Sequence, residues 1–332
     1  MYVVCVMSNS MNMINHKIQT ARLIWIIAVA LLFAACGRKA AGGVSDAGGQ
    51  IVLDGNGGEL PMPAIPSALN SPDERSSYVA EHFWDAMDFS DTLRSHDSEF
   101  LERNFSNFVY LLPYAPASSA EKAVAVLMKR AEADKTVFLM LAGLAEKYLS
   151  EPDSPMRNED LFMFFLNSQI EAGVLDESEK IRARIQLDTA KKNRPGMAAA
   201  DFAYVDRDGV SRTLHGTKST GNILLVFYDP ECEHCSEITA SLAADEMLAE
   251  LQEKGLLTVL AIDTESDGDV WERTKRDMPH RWIVGHDDNN VITESALYDL
   301  PAMPVLYLLD ADKTVILKDV APDAILRELA RL

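Results

Sequence analysis

From about residue 74 to 192 the apolar positions recur every three to four residues, the period of helices with one face against a core. The stretch SSYVAEHFWDAM, 76–87, brings Tyr78, Val79, His82, Phe83 and Met87 onto one stripe. DSEFLERNFSNFVYLL, 97–112, repeats the pattern with Phe100, Leu101, Phe105, Phe108, Val109 and Leu112, and Asp97 stands where a helix N-cap is needed. SSAEKAVAVLMKRAEA, 118–133, reads as a helix opened by a serine cap, with Glu121 completing a capping box. Further helices are expected over 136–150, 158–172 and 176–192, with Pro113, Pro116, Pro152 and Pro155 as punctuation. No fixed-period repeat runs through the segment. The pattern predicts an all-α domain over 73–193, with short connections.

From about residue 196 the period changes. DFAYV, 201–205, and VSRTL, 210–214, flank the turn signal DRDG and predict a hairpin. NILLVFY, 222–228, is an unbroken apolar run, as a strand buried on both faces requires. A helix from the cysteines at 232 and 235 to about 251 should follow, then a strand over 256–262 and a short helix over 270–276. A short strand at 281–285, a helix over 290–298, strands at 305–310 and 314–318, and a helix over 323–332 complete the series. This order predicts an α/β domain over 196–332, a mixed central sheet with helices on both faces.

The beginning of the sequence has a different character. Residues 1–35 hold Lys17 and Arg22 but no acidic residue, then the apolar run LIWIIAVALLF over 23–33. That run is short of the ~20 residues that span a bilayer and has the length of a signal-peptide core. Ala34-Ala35-Cys36 resembles a bacterial lipobox, which implies cleavage before Cys36 and a lipid on its sulfur. An ordinary cleaved signal peptide or a short anchor helix is the alternative. Each reading has the body exported, and the lipobox implies a cell-envelope protein, lipid-anchored and periplasm-facing, with the choice of inner or outer membrane open. Residues 36–72, rich in Gly, Ala and Pro, read as a flexible tether. The 332 residues then divide into two domains, and the net charge of −20 argues against nucleic acid as a partner.

Position also sorts the four cysteines. Cys5 leaves with the signal segment and Cys36 takes the lipid, so Cys232 and Cys235 remain as thiols. Two thiolates fall short of the four ligands of a structural zinc site, so no metal is expected. A Cys-x-x-Cys between a buried strand and a helix puts the first sulfur among unpaired helix N–H groups, which favour its thiolate. The second, one turn on, reaches back to the first. A peroxidase would aim its peroxide with a Pro and a Thr upstream; Leu225 and Asp229 occupy those positions.

On the strings DFAYVDRDGVSRTL, VFYDPECEHC and LPAMPVLYLLD, residues 196–332 resemble the thioredoxin fold, in its TlpA-like thiol:disulfide oxidoreductase branch. The resemblance implies Cys232 as nucleophile and Cys235 as resolving thiol, and it makes Pro304 the cis-proline, preceded by Met303, whose backbone pairs with an extended substrate. It further implies no cofactor beyond the redox-active Cys232–Cys235 disulfide. The implied partners are exported client proteins with cysteines and an upstream thiol electron donor. Glu231 stands where thioredoxins usually carry Trp, and Val226 where many keep a buried Asp that relays protons. Glu237 is then a candidate relay, against the alternative of a solvated helix-face Glu. Within the turn, His234 favours the Cys232 thiolate, while Glu233, Glu231 and Asp229 oppose it, a balance that leans towards a reductant. The helical region, on EHFWDAMDFSD at 81–91, resembles a domain of unknown function that precedes thioredoxin domains in envelope lipoproteins. The competing reading is a binding or scaffold lipoprotein whose cysteine pair is a structural disulfide.

Overall fold

The computed structural model describes residues 58–265 and 267–332. The expected signal segment 1–35, the lipidation cysteine Cys36 and the first part of the tether lie outside those residues. The helical part comprises α1 Pro72–His82, α2 Thr92–Ser95, α3 Ser98–Leu111, a 3-10 turn Leu112–Tyr114, α4 Ala117–Ala131, α5 Lys135–Leu149, α6 Glu159–Glu171 and α7 Ile181–Ala190. Local chemistry sets the starts. Ser71 caps α1 in a capping box closed by Glu74, and Asp97 accepts the Glu99 and Phe100 N–H groups at α3. The serine cap expected for α4 is not used. Pro116 takes the N-cap position with no side-chain hydrogen bond, and Ser118 and Ser119 fall inside the first turn. Phe105, Phe108, Leu127, Phe138 and Phe165, all fully buried, form the centre of this part.

The tether is also shorter than its composition suggests. Leu60 is buried, and its N–H donates to Asn104 Oδ1 at 2.7 Å, so the chain is docked on α3 well before residue 72. Asn104 is itself fully buried and takes this N–H because an unpaired buried amide is costly.

The α/β part holds β1 Ala203–Asp206, β2 Ser211–Thr213, β3 Asn222–Tyr228, β4 Leu257–Asp263, β5 Ile283–His286, β6 Val305–Leu309 and β7 Val315–Lys318. They form one seven-stranded sheet in the order β2-β1-β5-β4-β3-β6-β7. The strands β3, β4 and β5 run parallel, while β1, β2, β6 and β7 pair antiparallel. Its helices are α8 Glu233–Ala244, α9 Glu246–Glu253, α10 Gly268–Thr274, α11 Val291–Glu294 and α12 Pro322–Leu329. The single helix expected to reach residue 251 is two, because Asp245 is extended and caps α9 through the Leu248 N–H. The helix expected over 290–298 stops at α11; Ala296, at φ 44°, turns the chain out of it.

Strand alternation builds two cores. Leu224, Val226, Tyr228, Val259, Ala261 and Val284 face α8, α9, α10 and α12. Ile223, Leu225, Phe227, Leu260 and Ile262 face Phe202, Tyr204, Ile292 and Tyr298 on the other side. Polar contacts join the two parts of the chain. The buried Lys318 ammonium, at the end of β7, donates to Glu159 at 2.8 Å and to the carbonyls of Ala190 and Lys192 at 3.1 and 2.8 Å, and Arg157 pairs with Asp319 beside it.

Candidate functional site

The chain leaves β3 at Tyr228 and folds back at once. Asp229 Oδ1 accepts the Glu231 N–H at 2.8 Å, and the Asp229 carbonyl accepts the Cys232 N–H at 3.2 Å. Cys232 is the N-cap of α8 (φ −83°, ψ 119°), and its Sγ accepts the Cys235 N–H at 3.4 Å. Sulfur occupies the place that a Ser or Asp oxygen takes in most caps, so the orphan N–H groups of the helix are aimed at it.

Both cysteines are free thiols, Cys232 half-buried and Cys235 1% exposed. Burial pushes the Cys235 thiol up to about 12; the neighbouring Cys232 sulfur adds to this and a hydrogen bond with the Asp229 backbone works against it. One accessible sulfur is thus backed by one sheltered thiol that holds its proton.

Around the mouth, Glu231, Glu233, His234 and Glu237 are exposed. His234 Nδ1 lies 3.9 Å from Glu237 Oε2, and Arg273 on α10 lies 3.9 Å from Glu231. Glu237 therefore sits at the solvent face beside His234. Two positions along a helix from Cys235 turn a side chain about 200° away, and the structure does not bring Glu237 to the buried sulfur.

The Met303–Pro304 peptide is cis, and Pro301 lies outside it. Val305 pairs with Phe227, so Met303 and Pro304 pass beside the end of β3, where the cysteine turn begins. Met303 and Cys232 pack against the same core cluster.

Sequence reasoning missed a row of polar side chains beneath this turn. The register pairs Tyr228 with Asp263 and Asp263 with His286, so three adjacent parallel strands end on polar residues of the face that α8 covers. Asp263 is fully buried, and Tyr228 and His286 are 2% and 5% exposed. His286 Nδ1 stands 3.4 Å from Asp263 Oδ2, and its ring stacks on Trp271 at 5.5 Å and 15°. Next to the row, Asp287 accepts the Val291 and Ile292 N–H groups. Tyr228 Oη, Thr264 Oγ1 and His286 Nδ1 are buried without a hydrogen bond among the described residues. Each such group costs about 1–3 kcal/mol, so a stretch chosen for stability alone would not keep three of them. Burial, and after it the charge of Asp263, pushes the Tyr228 hydroxyl above its usual range. The signal was in the sequence: a polar residue closes three apolar runs, and ending two of the strands at Ile262 and Gly285 left Asp263 and His286 out.

Among the described residues no group of three or more His, Cys, Asp or Glu is placed to hold a metal ion. An open cleft of about 820 Å³ lies at the opposite end of the sheet, lined by His215, Lys218, Arg281 and Lys313 and by the first residues of β4 and β5. It has no part in the cysteine chemistry.

The family model described as Domain of unknown function (DUF5106) matches residues 38–193. A thioredoxin-like protein from Bacteroides caccae is 34% identical, with a TM-score of 0.77 and coverage of 82% of this chain and 98% of that one. The C-terminal domain of an uncharacterized protein from Bacteroides fragilis is 36% identical over 42% of this chain and 98% of its own, with a TM-score of 0.40. A thiol-disulfide oxidoreductase from Bacteroides fragilis is 20% identical over 41% of this chain and 98% of its own, with a TM-score of 0.36. No curated protein matches the chain. The match that covers 82% of the chain takes in helical part and sheet together, and with it the chain belongs to the thioredoxin-like family, its thioredoxin-like domain preceded by a DUF5106 domain.

Proposed function

We propose that this protein is a cell-envelope thiol:disulfide oxidoreductase that exchanges disulfides with exported proteins through Cys232, leaning to reduction. The observation that carries the reading is the half-buried Cys232 sulfur at the N-cap of α8, with the buried Cys235 thiol one turn behind it. In the reducing direction the Cys232 thiolate attacks a client disulfide. A Cys232–client bond forms, the client disulfide breaks, and the departing client sulfur leaves as a thiolate. Cys235 then gives up its proton and attacks the Cys232 sulfur, which closes the Cys232–Cys235 disulfide and frees the second client thiolate. An upstream thiol donor returns the pair to the dithiol.

The lean towards reduction follows from charge. The carboxylates of Asp229, Glu231 and Glu233 oppose a negative sulfur at Cys232, and among the side chains of the turn only His234 acts against them. The Met303 backbone, beside the end of β3, is the edge on which an extended client segment would lie. A lipid on Cys36 would hold the protein to the membrane with its body facing the periplasm.

Replacing the resolving thiol tests the exchange. Cys235→Ala should accumulate mixed disulfides between Cys232 and client proteins, visible as reducible bands on a non-reducing gel. A blank gel would favour the binding lipoprotein instead. Cys36→Ser should move the protein from the membrane to the soluble fraction; persistence in the membrane would remove the lipid anchor from the reading.

A further inference from the structure

The resolving step leaves a proton to be placed. Cys235 is 1% exposed, with its thiol pushed up to about 12 by burial, so it reacts only if a nearby group takes that proton. Val226, where a carboxylate would serve, is apolar and fully buried, and Glu237 faces solvent. The row beneath the turn offers another route. Leu224, Val226 and Tyr228 on β3 share a face with Val259 and Ala261 on β4 and Val284 on β5, and Cys235 belongs to the same cluster. Continuing each strand by its two-residue period puts Asp263 and His286 on that face too, in register with Tyr228. The charges of Asp263 and of a Cys235 thiolate both act on the Tyr228 hydroxyl, which shares its buried sheet face with the two.

The geometry points to Asp263, held against His286 and reached through the Tyr228 hydroxyl, as the acceptor of the Cys235 proton in the resolving step. The inference rests on the oxidoreductase reading and adds residues to it. The step balances without a further reactant. The Cys235 S–H bond breaks, and its electron pair forms the bond to Cys232 Sγ as the Cys232–client bond breaks towards the client sulfur. The proton passes to the Tyr228 oxygen while the Tyr228 proton passes to the Asp263 carboxylate. Asp263 later releases it beside the exposed Glu265, whose N–H it accepts at 3.2 Å. When the pair oxidises a thiol, the same groups return the proton to Cys235.

Other charged groups bear on the row from each neighbouring element. Asp229 comes from the cysteine turn, Glu265 from the end of β4, Arg207 from the end of β1 and Asp287 from the end of β5. Trp271 of α10 closes the far side by stacking on His286. Tyr228 Oη is buried with no hydrogen bond among the described residues, so no existing bond has to break before it carries a proton.

An aryl disulfide, 5,5′-dithiobis(2-nitrobenzoate), separates the steps, because attack by Cys232 releases one aryl thiolate and resolution by Cys235 a second. The reduced full chain is mixed with the probe in a stopped-flow instrument, as wild type, Asp263→Asn and Tyr228→Phe. At neutral pH the ratio of the second rate constant to the first should fall about 100-fold or more in both variants, the low end of what a general base contributes. The deficit should shrink between about pH 7 and 9, as hydroxide replaces the missing acceptor. A folded variant whose ratio matches wild type across that range overturns the relay. If Asp263→Asn does not fold, Tyr228→Phe, which removes only a hydroxyl, decides the matter. A wild-type protein that releases no aryl thiolate at all sinks the oxidoreductase reading itself, a distinct outcome that takes the relay with it.

Discussion

Three residues along the chain, and on the same helical turn, the two thiols meet different surroundings. Cys232 caps a helix and is half-buried, while Cys235, on the inner face of α8, is buried in the core cluster that also holds Tyr228 and Val226. Desolvation penalises a thiolate at Cys235, and with its thiol pushed up to about 12 only about one copy in 10⁴ is ionised at pH 8. Alkylation consumes thiolate, so iodoacetamide on the reduced, folded protein near neutral pH should give a single adduct on Cys232 by peptide mass spectrometry. The second adduct should appear only on unfolding, or as the pH rises towards 12. Two adducts on folded protein at pH 8 would contradict the burial of Cys235. The same asymmetry explains what the sequence disclosed of the site. Cys232 and Cys235 lie in one contiguous motif that can be read along the chain. Asp263 and His286 come close only because β4 and β5 pair in one particular register, and register is not written in a single strand.

Among the elements, a pair of glycines shows how differently backbone approach is set in sheet and helix. A Cβ on Gly221, just before β3, would lie 2.1 Å from the Leu256 carbonyl oxygen. That oxygen cannot retreat cheaply, because it accepts the Asn222 N–H at 2.9 Å, and the Leu256 N–H is tied to Leu251. Gly221→Ala should therefore cost about 1–3 kcal/mol in a urea titration. Gly143, exposed within α5, has no atom within 4 Å of an added Cβ. Gly143→Ala should stabilise by about 0.5–1 kcal/mol, since alanine loses less entropy in a helix. Equal effects from the two changes would show that neither reading of space is right. Periodicity located most of these elements, because Phe105, Phe108 and Phe138 or Leu224 and Val226 repeat at the spacing their faces demand. It failed at breaks made by one residue. Asp245 sits in a helix-like pattern yet ends α8, and Pro116 displaces the serine cap, because capping competes locally with a period averaged over a dozen residues.

Across the whole molecule, β7 would be an open sheet edge if nothing covered it. The segment leading out of the helical part covers it. Gly196 donates to Val315 O at 2.8 Å, Val315 donates to Met197 O at 2.8 Å, and Ala199 donates to Lys313 O at 2.9 Å. At the end of the same strand, Lys318 reaches across to Glu159 and to the carbonyls that α7 leaves unpaired. Its side chain is 6% exposed and that of Glu159 33%, so this is a largely dry ion pair with two further acceptors. Removing the ammonium leaves a carboxylate that burial already pushes upward in pKa, together with two carbonyls short of a donor. Lys318→Met keeps most of the volume and should cost about 3 kcal/mol, the low end for breaking a buried pair because Glu159 remains partly wet. Glu159→Gln added to it should recover part of the loss, since the carboxylate that Lys318 paired with is then uncharged. The loosened variant should also be cut more readily between residues 190 and 198 under limited proteolysis, because the tie to the sheet is gone while each core keeps its own apolar contacts. A single variant with the wild-type urea midpoint and cleavage rate would mean that the edge pairing of 196–199 holds the two parts together without Lys318.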